Sequence, residues 1–194
     1  YRGQGVLFTV LHIGNVGINL EDDESAKPQV SAVVIRSLSP VVSNWRSALS
    51  LSEWLTQHAV PGISGVDTRW LTRKLRDGGT QKAAISTKGT SPEKLLAMAR
   101  DWAGLDGRDM VKEVTCEESY RWVNDAGSKW VKNSEQPAVV SHPWSIVAYD
   151  FGIKENILRH LSSFDANVTV VPADTSADEV LALKPDGIFL SNGP

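Results

Sequence analysis

The chain has 194 residues, of which 41% are hydrophobic and 22% are charged, with a formal net charge of −3 and a pI near 5.8. That length holds one ordinary domain or two small ones, and the composition is sufficient for a hydrophobic core. The weakly negative charge gives no general attraction to nucleic acid or to anionic membranes, and no apolar run approaches the roughly 20 residues that a membrane span requires.

The first region of the chain mixes strands and helices, which predicts an α+β domain. Residues 6–11 and 30–35 are rich in β-branched side chains and are typical of strands. Helices are predicted from their caps: a capping box beginning at Ser50, then Asp67, then Ser91 followed by proline. The side chains predicted to face inward are Leu51, Trp54, Leu55 and semi-buried His58 in the first helix, Trp70, Leu71 and Leu75 in the second, and Leu95, Met98 or Ala99, and Trp102 in the third, which we expect to end at Gly104.

Two polar stretches in this region have alternative interpretations. Residues 12–19 resemble a glycine-rich phosphate loop but lack its spacing, so a tight turn with positive φ at Gly14 and Gly17 is favoured. The acidic run at 21–24 is interpreted as a solvated loop, with a surface for a basic partner as the alternative. The second helix has a basic face formed by Arg69, Arg73, Lys74 and Arg76. This face is interpreted as solvated, and binding of an acidic partner is the alternative.

The single cysteine, Cys116, excludes an internal disulfide bond and suits a reducing cytoplasm. Acidic side chains follow it at Glu117 and Glu118, and such neighbours raise the pKa of a thiol and weaken it as a nucleophile. A structural role is therefore favoured. No metal site is predicted, because the four histidines lie far apart in the sequence without clustered ligands: His12, His58, His142 and His160.

The organisation of the chain changes near residues 138–144. Residues 123–143 are rich in turn formers and prolines and have little periodicity, which is typical of a linker. We place the first domain at residues 1–138, the linker at residues 139–144 and the second domain at residues 145–194.

The second region alternates strands and helices regularly. Strands are predicted at residues 145–149, 168–171 and 187–190, with a helix between each pair. This alternation implies parallel strands joined by right-handed crossovers, about half of a doubly wound domain. The carboxyl ends of the strands should meet at one edge, where open α/β sheets bind ligands. Those ends are Asp150-Phe151-Gly152, Pro172-Ala173 and Ser191-Asn192-Gly193.

The turn at Ser191-Asn192-Gly193-Pro194 is the strongest candidate site. A glycine at a strand end lets the backbone approach a ligand, and its amide can donate a hydrogen bond to a developing oxyanion. A plain surface turn is the alternative, and the residues alone leave both interpretations open.

Several motifs of the chain occur together, and in the same order, in one known family. In the second region they are IVAYDFGIKENILR at 146–159, VVPA at 170–173 and PDGIFLSNGP at 185–194. In the first region they are HIGNVG at 12–17, SNWR at 43–46, DTR at 67–69, LTR at 71–73 and YRW at 120–122. With these motifs the chain closely resembles, over nearly its whole length, the small, glutamine-hydrolysing subunit of carbamoyl-phosphate synthetase.

The resemblance implies a mixed α+β amino-terminal domain followed by the first half of a class I glutamine amidotransferase domain, which is flavodoxin-like with a parallel sheet. In that class a cysteine on a strand-to-helix elbow, supported by histidine and glutamate, hydrolyses glutamine to glutamate and releases ammonia. A large subunit, the implied partner, uses the ammonia with bicarbonate, ATP and Mg to make carbamoyl phosphate for pyrimidine and arginine biosynthesis. The resemblance thus implies a cytoplasmic heterodimeric ligase whose small subunit has no cofactor of its own and binds neither nucleic acid nor membrane.

One family site residue is matched in this sequence. Gly193 resembles the glycine whose backbone amide lines the glutamine pocket and the oxyanion hole. The elbow cysteine and its histidine and glutamate lie downstream of this turn in the family, and Cys116 matches no part of the elbow, so no catalytic residue is expected here. We therefore expect a fragment truncated at both ends and without glutaminase activity of its own.

Two other classes of function remain open from the sequence. One is a non-catalytic interaction or regulatory module of the same fold, and the other is a flavodoxin-like binder of small molecules that uses the edge with Asp150 and Gly193. A gene that continues into a G-x-C-x-G elbow favours the enzyme, whereas a stop codon after Pro194 favours the module.

Overall fold

The computed structural model describes residues 1–123 and 143–194. The chain divides into two compact units. Unit 1 comprises residues 1–20 and 27–108, and unit 2 comprises residues 21–26 and 109–194.

Unit 1 combines short strands with three helices, as the predicted α+β mixture requires. Its strands are β1 (Gly5–Leu7), β2 (His12–Ile13), β3 (Ala32–Val34), β4 (Ser37–Leu38) and β5 (Gly62–Ile63). Its helices are α1 (Leu51–Gln57), α2 (Thr68–Gly78) and α3 (Pro92–Asp101). Parallel pairing joins β1, β3 and β5 in one sheet and β2 with β4 in another.

The predicted helix caps of unit 1 are confirmed. Ser50 and Glu53 form both hydrogen bonds of a capping box, and the Trp70 amide donates to Asp67 Oδ1 at 3.0 Å. The Ser91 side chain caps α3, which ends at Asp101, slightly before the glycine that the sequence predicts as its end. These three caps come from residues adjacent to their helices, so the sequence is sufficient to predict them.

The glycine turn near the start of unit 1 is also confirmed. Gly14 and Gly17 have φ values of 92° and 64°, and the Gly17 amide donates to the Gly14 carbonyl oxygen at 3.1 Å. A Cβ on Gly17 would overlap Ser47 and Val42. Packing within the protein therefore explains why residue 17 is glycine, and the interpretation of this stretch as a tight turn is confirmed.

One prediction for α2 is wrong. Trp70 is predicted to face inward, but 57% of it is exposed, and Lys74 Nζ lies 5.3 Å from the centroid of its ring. Leu71 and Leu75 are half-buried as predicted. Residues four apart share a helix face, so a buried face that contains 71 and 75 leaves 70 and 74 together on the outer side.

One further side chain lies nearer the surface than predicted, and the alternative left open in α3 is decided. His58 is exposed at the end of α1, where its Nδ1 lies 2.9 Å from the Trp54 carbonyl oxygen and its ring centroid 4.6 Å from that of Trp54. As the C-cap residue it lies beyond the buried turns of its helix. In α3, Ala99 occupies the half-buried position, whereas 54% of Met98 is exposed.

Unit 2 contains the sheet that the regular alternation of the second region predicts. Its strands are β6 (Tyr120–Arg121), β7 (Trp144–Asp150), β8 (Ala166–Pro172) and β9 (Gly187–Leu190), and its helices are α4 (Glu155–Ser163) and α5 (Ala177–Ala182). The strand order is β6-β8-β7-β9, and β7 pairs in parallel with both β8 and β9. The predicted parallel arrangement is therefore confirmed.

The core of unit 2 lies on both faces of the central strand pair, β7 and β8. Successive side chains of a strand point to opposite faces, so each strand supplies both clusters. The cluster on one side contains Ala148, Ile153, Leu158, Val168 and Val170. The cluster on the other side contains Val147, Val171 and Val180. Burial on two faces explains why adjacent residues of a strand are both buried, as are Val147 with Ala148 and Val170 with Val171.

The edge strand β6 is a feature that sequence analysis missed. Tyr120 and Arg121 pair antiparallel with β8, and the Trp122 amide donates to the Val168 carbonyl oxygen at 2.9 Å. Residues 109–123 consequently lie in unit 2, although sequence analysis assigns them to the first domain. A two-residue strand has no periodicity by which a sequence could reveal it.

The predicted domain limits at 1–138 and 145–194 stay a prediction. Within the predicted linker at 139–144, residues 139–142, and with them His142, lie outside the described residues. Trp144 already belongs to β7, one residue before the predicted start of that strand.

The acidic run near residue 24 is part of unit 2 and caps a helix. Lys154, which precedes α4, makes no side-chain cap. Instead, Glu24 Oε2 accepts a hydrogen bond from the Asn156 amide at 3.0 Å, and the Glu24 carbonyl oxygen accepts one from the Glu155 amide at 3.1 Å. A carboxylate here also interacts favourably with the positive end of the helix dipole. Glu24 is exposed, so the interpretation of this run as a solvated loop is confirmed for Glu24, which in addition caps α4.

Replacing Glu24 tests this cap. Glu24→Ala removes the carboxylate bond to the Asn156 amide, and we expect it to lower the free energy of unfolding by about 1 kcal/mol, the usual cost of a lost cap. Urea denaturation followed by circular dichroism measures the change. Glu118→Ala, which removes a carboxylate at an exposed position, is the control and should change stability by less than about 0.5 kcal/mol. Equal effects of the two variants would contradict the capping role.

Candidate functional site

The ends of β7 and β9 are joined at the predicted edge of the sheet. The Phe151 amide, just after β7, donates to Ser191 Oγ at 2.9 Å. In the other direction, Asn192 Nδ2 donates to the Gly152 carbonyl oxygen at 3.2 Å. The turn after β7 and the turn after β9 are therefore bound to each other.

Asp150 anchors the first of these turns. It is the last residue of β7 and only 7% exposed. Its Oδ1 accepts hydrogen bonds from the amides of Gly152 at 2.9 Å and Ile153 at 2.8 Å, and its Oδ2 accepts one from the Cys116 amide at 2.8 Å. These bonds satisfy a buried carboxylate, which would otherwise be costly. Because both oxygens bond to backbone amides, Asp150 is a structural anchor and not a ligand-binding group.

The two glycines at this edge differ in what the backbone demands of them. Gly152 has a φ of 103°, and a Cβ there would lie 3.1 Å from Val114 Cγ2. Gly193 has no positive φ, and a Cβ there would meet Phe151 at ordinary contact distances of 3.5 and 3.8 Å. Folding therefore explains Gly152 but does not explain Gly193, which is consistent with a ligand approaching the second glycine.

The amide of Gly193 is available as a donor. Across residues 1–123 and 143–194, no hydrogen bond uses it, whereas neighbouring Phe151 and Gly152 amides are both engaged. Gly193 itself is exposed. An exposed backbone amide at the carboxyl edge of a parallel sheet can donate to a carbonyl or carboxylate oxygen of a ligand.

A segment just before β6 completes this edge, and sequence analysis missed it. Val114 packs toward Gly152, and the Ala173 amide, after β8, donates to Thr115 Oγ1 at 2.9 Å. The next residue, Cys116, bonds to Asp150 as described above. No periodicity or spacing marks these residues as part of the edge, because each contact spans more than 30 positions of sequence.

Cys116 lies in unit 2 and contributes to its core. Burial, and then the charge of Asp150, raises the pKa of the Cys116 thiol to about 11. At pH 7 about one such thiol in 10⁴ is ionised, which leaves almost no nucleophile. This supports the predicted structural role. The cause differs from the predicted one, because Asp150 and not the adjacent Glu117 and Glu118 supplies the charge.

Tyr120 belongs to the same cluster of titratable groups. Burial, followed by the charges of Asp150, Cys116 and Glu155, raises the pKa of its phenol to about 12. The phenol therefore stays protonated at neutral pH. No group of three or more His, Cys, Asp or Glu side chains that could hold a metal ion occurs among the residues that the structure describes. Nor does that part of the chain contain a helix long and apolar enough to cross a bilayer.

The basic face of α2 lies at the surface, as the interpretation as a solvated face requires. Its cations are exposed, and Arg76 Nε lies 2.9 Å from Asp77 Oδ1 in an exposed ion pair. Exposed pairs of this kind contribute little to stability. Binding of an acidic partner at this face stays a prediction.

Comparisons with known proteins agree with this geometry. Residues 147–194 match the family model of class-I glutamine amidotransferases, and residues 1–85 match that of the carbamoyl-phosphate synthase small chain, CPSase domain. The parallel sheet of unit 2 is thus that of the amidotransferase class. The chain belongs to the carbamoyl-phosphate synthase small-chain family.

Curated relatives match the chain from end to end. It is 46% identical to the carbamoyl phosphate synthase small chain of Nostoc sp., 48% identical to that of Thioalkalivibrio sulfidiphilus and 45% identical to the chloroplastic small chain of Oryza sativa, with 100% of this chain covered each time. The matches cover 50%, 51% and 43% of those relatives. The chain therefore spans about half the length of the curated relatives it matches.

The reactivity of Cys116 tests its burial. We expect iodoacetamide to alkylate the folded chain at pH 8 about 10²-fold more slowly than the urea-unfolded chain, because the fold raises the thiol pKa from about 9 to about 11. The alkylation rate should rise about tenfold per pH unit up to that pKa. Equal rates for the folded and unfolded chain at pH 8 would contradict the buried environment.

Alanine at each of the two glycines tests whether folding requires that glycine. Gly152→Ala should lower the free energy of unfolding by about 1–3 kcal/mol, because of the positive φ and the close Val114 side chain. Gly193→Ala should change it by less than about 0.5 kcal/mol. Urea denaturation measures both values. A loss at Gly193 as large as that at Gly152 would mean that folding itself requires both glycines.

Proposed function

We propose that this chain is part of the glutamine-hydrolysing small subunit of a carbamoyl-phosphate synthetase, and that Gly193 contributes its amide to the glutamine pocket. The observation that carries the proposal is that this exposed amide is not used by any described hydrogen bond and that its glycine is not required by the backbone. Membership of the small-chain family supports the reaction.

The chemistry requires such a donor. Hydrolysis of the glutamine side chain begins with attack on its amide carbon, which places negative charge on the carbonyl oxygen. A positioned backbone amide stabilises that charge, and one oxyanion donor is typically worth about 2.7–4 kcal/mol. The absence of a side chain at Gly193 allows the carbonyl oxygen to come within hydrogen-bonding distance.

We assign no catalytic residue to this chain. A glutamine amide needs a thiolate aligned with a base, because it is a poor electrophile and ammonia leaves only when protonated. The Cys116 thiol has a pKa of about 11 and packs on the core. In the proposed function the nucleophile is therefore a residue of the whole subunit other than Cys116.

The proposal extends to the partner and the pathway. Ammonia from glutamine passes to a large subunit, which uses bicarbonate, ATP and Mg to make carbamoyl phosphate for pyrimidine and arginine biosynthesis. This subunit has no cofactor of its own in the proposal, and the heterodimer is cytoplasmic. The family membership supports the partner, and the weakly negative net charge of −3 gives no general attraction to nucleic acid.

The Gly193 amide is tested in the complete small subunit assembled with its large subunit. Gly193→Val keeps the amide but places branched methyl groups beside it, and we expect it to lower glutamine-dependent synthesis of carbamoyl phosphate about 10²-fold. Synthesis from added ammonia should stay unchanged, because that substrate bypasses the pocket. Gly193→Ala is the control and should show a smaller loss. An equal loss with both nitrogen sources would contradict a role in the glutamine pocket.

The isolated chain provides an independent test. With glutamine as substrate, we expect the 194-residue chain to release no glutamate above background, alone or with the large subunit, because its only cysteine is almost fully protonated. A coupled glutamate dehydrogenase assay measures the product. Glutamate release that disappears in a Cys116→Ser variant would overturn the assignment of Cys116 as structural.

A further inference from the structure

The buried carboxylate of Asp150 links the core of unit 2 to the candidate site. It lies at the end of β7, where Oδ1 holds the amides of Gly152 and Ile153. A carboxylate that accepts several backbone hydrogen bonds forms charge-assisted contacts about twice as strong as neutral ones. The turn at 150–153 is therefore fixed to the end of a core strand.

The anchored turn in turn fixes the turn that carries Gly193. The Phe151 amide donates to Ser191 Oγ, and the Gly152 carbonyl oxygen accepts from Asn192 Nδ2. Gly193 itself packs on Phe151, whose carbonyl oxygen would lie 3.5 Å from a Cβ at that position. The two groups that contact the turn at 191–193 are the Phe151 amide and the Gly152 carbonyl oxygen. Both therefore belong to the turn that the Asp150 carboxylate holds.

We propose that Asp150 is a positioning residue for glutamine hydrolysis, which holds the Gly193 amide in place through the Phe151–Gly152 turn without contacting the substrate. This inference rests on the proposed function of Gly193. Its physical basis is that an oxyanion donor must keep a narrow geometry, since a displacement of about 1 Å can cost about 10²-fold in rate.

The two carboxylate oxygens of Asp150 have different partners, so substitutions can distinguish their roles. In Asp150→Asn, the amide oxygen can replace Oδ1 and keep the bonds to Gly152 and Ile153, whereas the NH₂ group would face the Cys116 amide, donor against donor. In Asp150→Ala all three bonds are lost. The positioning role depends on the Oδ1 bonds, so the asparagine variant should keep much of the activity that the alanine variant loses.

Two matched variants complete the set. Ser191→Ala removes the acceptor of the Phe151 amide, and with it one of the two hydrogen bonds between the turns, without changing Asp150. Thr115→Ala removes the acceptor of the Ala173 amide at the same edge and leaves the link intact. Both residues are half-buried. Thr115→Ala loses the bond from the Ala173 amide, and Ser191→Ala loses in addition the bond that Ser191 Oγ donates to the Asn192 carbonyl oxygen at 2.9 Å, so its loss of stability should be the larger of the two.

The kinetic test uses the complete small subunit with its large subunit. We expect Asp150→Ala and Ser191→Ala to lower glutamine-dependent kcat by about tenfold to 10²-fold, with ammonia-dependent synthesis unchanged. Asp150→Asn should lose less than Asp150→Ala, and Thr115→Ala should stay within about twofold of the unchanged protein. The inference is overturned if Thr115→Ala loses as much glutamine-dependent activity as Ser191→Ala, or if both nitrogen sources lose activity equally.

A second measurement needs no activity. In the 194-residue chain, hydrogen exchange of the Phe151, Gly152 and Ile153 amides should accelerate at least about tenfold in Asp150→Ala, and the ¹⁵N resonance of Gly193 should shift in both Asp150→Ala and Ser191→Ala. If Asp150→Ala does not fold, Asp150→Asn and Ser191→Ala carry the test. An unmoved Gly193 resonance overturns the positioning role. If that resonance shifts while Gly193→Val leaves glutamine-dependent synthesis intact, the proposed function fails and the structural link holds.

Discussion

A carboxylate buried at the end of a strand requires hydrogen-bond donors, and three backbone amides donate to Asp150. Leaving such a group without partners costs several kcal/mol, so the segments that carry the donors are held where the carboxylate needs them. One donor comes from Cys116, on the segment before β6, and two come from the turn that follows Asp150 itself. The turn after β7 is therefore held by a carboxylate of the core.

The two units bury their apolar residues very differently. In unit 2 the central strands are buried on both faces, with α4 on one side and α5 on the other, so the end of β7 is a fixed point. In unit 1 the buried hydrophobic residues are Val33 and Ile35, and its short strands leave several large apolar side chains at the surface. Precise placement of a backbone donor requires a rigid support, and unit 2 supplies it.

Local features were predictable from the sequence, and long-range contacts were not. The capping box at Ser50, the parallel strands of unit 2 and the glycine turn at residue 14 all follow from neighbouring residues or from a repeated alternation. The cap on α4 could not be predicted, because Glu24 lies 132 positions from the amide it contacts. The strand β6 is too short to carry a pattern. The position of the carboxyl edge was therefore predictable from the sequence, whereas the long-range contacts that order it were not.

The same charge has two consequences at this edge. As an acceptor, the Asp150 carboxylate orders the turn beside Gly193, and as an anion it disfavours ionisation of the nearby Cys116 thiol. Burial is the larger cause of the raised pKa, but burial and charge act in the same direction, so the thiol remains protonated while its backbone amide contributes to the anchor. A protonated thiol is a small apolar group, which suits the core against which Cys116 packs. The Asp150 carboxylate therefore orders the edge and also reinforces the effect of burial on the Cys116 thiol.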